Sequence, residues 1–103
     1  MQTLFRAIRI GDSAEIEQAA HGEMEKLHKN TETMSQYNLA TMEIVSGFFK
    51  FCTDNSLDFN KISGNMQNIY EKVSQMDESS LTAWIVQMSE TISEKLKCAR
   101  NSS

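Results

Sequence analysis

The segment from Ser80 to Ala99 constrains the fold more than any other part of the chain. Leu81, Trp84, Ile85, Met88, Ile92, Leu96 and Ala99 follow one another at i, i+3, i+4 and i+7. Apolar residues at that period line one face of an α-helix and scatter over both faces of a strand. No segment alternates at period two for long enough to make a strand. The 103 residues include no Pro, the residue that breaks helix interiors, and only four Gly. Seven Met and many Glu, Lys, Gln and Ala add helix-favouring residues. The expected fold is all-α: a single domain over residues 1–103, built as one bundle of about four to five helices.

Charge and cysteine content narrow the function classes. Ten Lys and Arg stand against fourteen Asp and Glu, for a net charge of −4. Nucleic-acid binding through bulk charge needs a basic surface, so the chain is not expected to hold DNA that way. No apolar run approaches the ~20 residues of a membrane span, and the N-terminus lacks the apolar core of a signal peptide. Cys52 and Cys98 form no CxxC pair, and neither has a His at zinc-finger spacing. Free thiols in a reducing, cytoplasmic compartment are the expectation.

The helix boundaries follow from local signals. Leu4, Ala7 and Ile8 share a face in the first helix, with Phe5 on its flank. Gly11 then suits a helix C-terminus, because it takes positive φ freely. Asp12 can cap the next helix, with Glu15 three residues on in capping-box fashion. That helix is expected over residues 13–29, with a weak stripe of Ile16, Ala19, Ala20, Met24 and Leu27 and an interrupting Gly22. Such a helix suits the periphery. The third helix, residues 34–53, has the widest apolar face, from Met34 and Tyr37 through Ile44, Val45, Phe48 and Phe49 to Cys52. It suits the bundle centre, contacted from more than one side. Gly47 beside its polar strip implies only close packing or tolerance. Residues 60–64 read as a turn or short helix, 65–73 as a short helix using Met66, Ile69, Tyr70 and Val73, and 76–80 as a linker rich in N-cap residues. Lys95, Lys97 and Arg100 complement the negative end of the last helix.

Few constellations suggest chemistry. His21, Glu25 and His28 share one side of the second helix, and Glu25-x-x-His28 has the spacing of half a carboxylate-bridged di-metal site. A complete site needs a second such pair, and the chain has no third His. A solvated polar face is the expectation, with no metal and no cofactor. Cys52 lies on an apolar face, where a thiol is inert, and Ser and Thr cluster where capping explains them. No Gly-rich phosphate loop is present. The chain is not expected to be an enzyme. The candidate packing or interaction residues are Tyr37, Phe48, Phe49, Trp84 and Met88. Phe48 and Phe49 point about 100° apart, so both are buried only if their helix is covered on two sides.

Leu4-Phe-Arg-Ala-Ile-Arg-Ile-Gly-Asp12 resembles the L-x-x-A-I-x-x-G-D helix break of a helical region in bacterial AraC-family transcription regulators, especially the YesN type. Phe51-Cys-Thr-Asp-Asn-Ser-Leu57 is similar to the end of that region's long helix, with Asn55-Ser56 where Gly is more usual. Ser80-Leu-Thr-Ala-Trp-Ile-Val-Gln-Met88 resembles its closing L-x-x-W-[LI] helix. The A-I-x-x-G-D string also occurs in ankyrin repeats, but no Thr-Pro-Leu-His and no ~33-residue period accompany it. The resemblance implies a non-catalytic regulatory or dimerisation segment of a longer regulator. It implies a homodimer in that regulator, with DNA bound only by a separate domain. A free-standing adaptor or chaperone for a partner helix is the alternative.

Overall fold

The computed structural model describes residues 1–64 and 66–101, with the backbone alone described at Met66, Arg100 and Asn101. Among the described residues it holds six helices and no strand: α1 (Gln2–Ile10), α2 (Ser13–Asn30), α3 (Met34–Asp54), α4 (Phe59–Ser63), α5 (Met66–Ser74) and α6 (Glu78–Asn101). The all-α expectation holds. The count exceeds four to five because residues 59–63 close a full helical turn. Asp58 caps it through Asn60 N–H, and Gly64 ends it at φ 91°. Residue 65, the expected start of the fifth helix, lies outside the described residues.

The helix ends follow capping chemistry. Gly11 adopts φ 81° and ψ 24°, and its N–H donates to the Ala7 carbonyl. The Asp12 carboxylate accepts from the N–H groups of Ala14 and Glu15. A reciprocal capping box forms one helix later: Thr33 accepts from Gln36 N–H, and the Gln36 side chain accepts from Thr33 N–H. Asp77 caps α6 through Ser80 N–H at 2.8 Å. That hydrogen bond, seconded by the Ser80 side chain, holds the Asp77 carboxyl below its usual range. After α3 the chain turns at Ser56, whose φ of 61° lies in the left-handed region. Leu57 N–H then donates back to the Cys52 carbonyl at 2.8 Å. Ser56 therefore holds a conformation that Gly would take without cost.

Packing corrects the expected roles of two helices. α2 is not peripheral. α6 lies closest against α2 and α1. Ala7, Ala19 and Ala20 on α1 and α2, and Ser89 and Ser93 on α6, are buried, and such short side chains let backbones approach. The weak stripe of α2 thus marks a tight junction. One flank of α3, in turn, stays exposed, although the helix meets α4 and α5 closely and α1 and α6 through aromatic rings. Its Thr41, Ile44, Val45, Phe48, Phe51 and Cys52 are buried, while Met34, Leu39, Met42 and Phe49 stay exposed. α3 packs closely on α5 and α4 and reaches α6 through long side chains. Gly47 faces α1: a Cβ there would stand 3.3 Å from Met1 Cε and 3.6 Å from Phe5 Cζ.

Polar contacts fasten α6 antiparallel to α2. Ser13 Oγ donates to Glu90 Oε1 at 2.6 Å, and His28 Nδ1 meets Glu78 Oε1 at 2.8 Å. Lys97 Nζ donates to the Gly11 carbonyl at 3.1 Å. Lys97 was expected to complement its own helix; it also serves the C-terminal end of α1.

The four glycines are not equivalent. Gly22 sits mid-helix with no atom within 4 Å of a Cβ, so Gly22→Ala should stabilise by about 0.5–1 kcal/mol. Gly11→Ala should destabilise by about 1–2 kcal/mol, because its positive φ strains any L residue. The added Cβ would also press on Lys97 Cε, a flexible tip that can yield. Urea denaturation of the two variants checks both signs.

Candidate interaction surfaces

The five candidate aromatic and Met residues divide between core and surface. Phe48 is fully buried and Met88 is buried with it in the core cluster. Trp84 and Tyr37 are half-buried, and Phe49 remains 37% exposed. The structure brings Phe48 and Trp84 together edge to face, with ring centroids 5.7 Å apart. Phe49 points elsewhere and meets Phe59 of α4 edge-on at 6.1 Å. Two-sided burial of adjacent Phe residues is therefore only partly achieved.

Three aromatics outside the candidate set complete the network. Phe5 contacts Phe48 edge-on at 6.3 Å and stacks on Phe51 at 4.6 Å with the planes 16° apart. Phe59 is almost fully buried. Phe5 flanks the apolar face of α1, but spacing within one helix does not reveal partners on another. Tyr37 buries its hydroxyl without a hydrogen-bond partner among the described residues. Burial, followed by the negative charges of Glu78 and Asp77, pushes its ionisation upward.

His21, Glu25 and His28 are all exposed, and two of them engage other partners. His28 meets Glu78 of α6, while Lys29 lies 3.7 Å from Glu25 on the same helix. His21 lines a shallow cleft between α2 and α6 with Glu17, Thr82, Val86 and Glu90. Among the described residues, no group of three His, Cys, Asp or Glu side chains is placed to hold a metal. Both cysteines are free; Cys52 is buried and Cys98 exposed. Burial pushes the Cys52 thiol up to about 11. No described helix is long and apolar enough to cross a membrane.

Two larger clefts flank α1. One runs between α1 and α2 over Ala7, Ile10, Ala19 and Gly22, with Arg6 and Lys26 at its sides. The other runs between α1 and α3 past Phe5, Phe51, Gly47, Arg6, Arg9 and Lys50. Comparison with protein-family models, curated proteins and solved structures finds no match to this chain.

The aromatic geometry ranks two truncations. Phe48→Ala empties a fully enclosed site and should cost about 3–5 kcal/mol. Trp84→Ala removes a half-buried ring and should cost about 2 kcal/mol, less than a fully buried Trp. Equal losses in urea melts would contradict the burial order. The thiols should also separate. At neutral pH a disulfide-exchange reagent should modify Cys98 rapidly and Cys52 only after denaturant is added.

Proposed function

We propose that this chain is a non-catalytic helical regulatory and dimerisation module of an AraC-type transcription regulator. It would couple signal sensing to a separate DNA-binding domain, use no cofactor, and work in the cytoplasm. The observation that carries this reading is the placement of α6. Three polar contacts fasten it to α2 and to the α1–α2 turn. On another side it meets α3 through the Trp84 ring against Phe48. A helix held this way moves as one rod, and an edge-to-face aromatic contact has no hydrogen bond to break on sliding. A displacement of α3 against α6 would thus carry along whatever α6 is joined to. Coupling of this kind needs two discrete arrangements, each favoured by a different input.

The resemblance of Leu4–Asp12 and Ser80–Met88 to the YesN-type helical region supports the same reading. Its implied homodimer has an available surface in the exposed Leu39, Met42 and Phe49 of α3. The uncharged Met34, Met42 and Phe49 also suit the alternative, a small adaptor that docks a partner helix.

Two measurements test the proposal. Sedimentation equilibrium should find a dimer, and Met42→Glu should convert it to a monomer that keeps its helical circular dichroism at about 25 °C and melts lower, as loss of association requires. A monomer at millimolar concentration would remove the dimerisation role. The natural reading frame should encode two helix-turn-helix units after this module; a frame ending near Ser103 would favour the adaptor.

A further inference from the structure

α3 carries a second stripe, on its exposed flank. Ser35, Leu39, Met42, Ser46, Phe49 and Thr53 are all exposed. Their spacing alternates four and three residues, the roughly 3.5-residue period of a coiled-coil seam. The stripe is uncharged, and it leaves the large side chains of Leu39, Met42 and Phe49 in solvent. A second helix laid along it would bury all three.

Charge indicates which helix that is. α3 holds three charged residues, Glu43, Lys50 and Asp54, and Asp54 ends it. Glu43 and Lys50 are both exposed and stand on the same edge of the stripe. Seven residues separate them, about 10.5 Å along the axis, too far for them to pair with each other. Among the described residues neither forms an ion pair. The opposite edge holds the half-buried Asn38 and the buried Val45 and Cys52, with no charge.

We propose that two copies of the chain meet along this stripe with their α3 helices antiparallel. Antiparallel packing sets the same edge of both helices side by side. Parallel packing would set the charged edge against the uncharged one. In one antiparallel register Glu43 meets the partner's Lys50 and Lys50 meets the partner's Glu43. Seams mesh again only after a slide of seven residues. A slide one way sets Glu43 against the partner's Glu43, and a slide the other way sets Lys50 against the partner's Lys50. The paired register also lays each Phe49 ring over the partner's Ser46, a large residue on a small one. Ser46 Oγ already lies 2.7 Å from Tyr70 Oη, so its hydroxyl needs no group across the contact. The inference rests on the dimerisation in the proposed function and adds its orientation and register.

Charge reversal tests it by sedimentation equilibrium. Glu43→Lys and Lys50→Glu should each weaken self-association about tenfold or more, because each turns two attractive pairs into two repulsive ones. Mixed in equal amounts, the two variants should associate with each other about as tightly as the parent does with itself, a gain that misfolding cannot produce. A dimer that survives either reversal, or a mixture that stays monomeric, overturns this register and leaves dimerisation standing. A monomeric parent overturns both, and its binding of an amphipathic helical peptide at Leu39 and Phe49 would assign the stripe to another protein.

Discussion

The close approach of α6 to α1 and α2 is the constraint on which the rest of the molecule depends. Helices pack at the distance their side chains allow, and the small residues buried on these three helices are Ala7, Ala19, Ala20, Ser89 and Ser93. Gly11 makes the approach possible at the turn, where a Cβ would stand 3.2 Å from Ser93 Oγ. The cost appears in the same place. Ser89 and Ser93 bury hydroxyls without partners among the described residues, each a penalty of about 1–3 kcal/mol against a bonded group. Small size at those positions evidently matters more to the packing than polar satisfaction.

The aromatic side chains do the opposite work. Phe5, Phe48, Phe51 and Trp84 span wider gaps and tie α3 to α1 and α6. The closest helix contacts thus lie between α6, α2 and α1, and the rings bridge from α3 to α1 and α6. One flank of α3 stays exposed at Leu39, Met42 and Phe49. The ring contacts also place the only Trp where two layers meet, half in the core and half in solvent.

Much of the helical layout was legible in the sequence because its signals are local. The Ile10-Gly11-Asp12 break uses a left-handed residue followed by a capping carboxylate, and both act within four residues. The α6 stripe is buried at Leu81, Ile85, Met88, Ile92 and Leu96, as its period implies. Residues 59–63 were ambiguous because one helical turn is too short to show a period. The partners of Phe48 and Phe49 were not legible at all. A periodic stripe shows which residues share a face of a cylinder, but not how much of that face a neighbour covers. Hence α3 read as central, although Leu39 is 62% and Met34 70% exposed. Hence also α2 read as peripheral, because few large residues suggested little packing, whereas small ones meant close packing.

By itself the sequence determined the all-α class, the positions of the breaks, and the side of α6 that turns inward. Those features arise from hydrogen-bond capping, φ preference and a 3.6-residue period, all of which act over a few residues. Only the tertiary structure decided that α6 rests on α2 and α1, that Trp84 meets Phe48, and that Arg6, Arg9 and Lys50 line one cleft. These outcomes depend on how far apart whole helices stand. That distance is set by the volumes of side chains contributed from opposite ends of the chain.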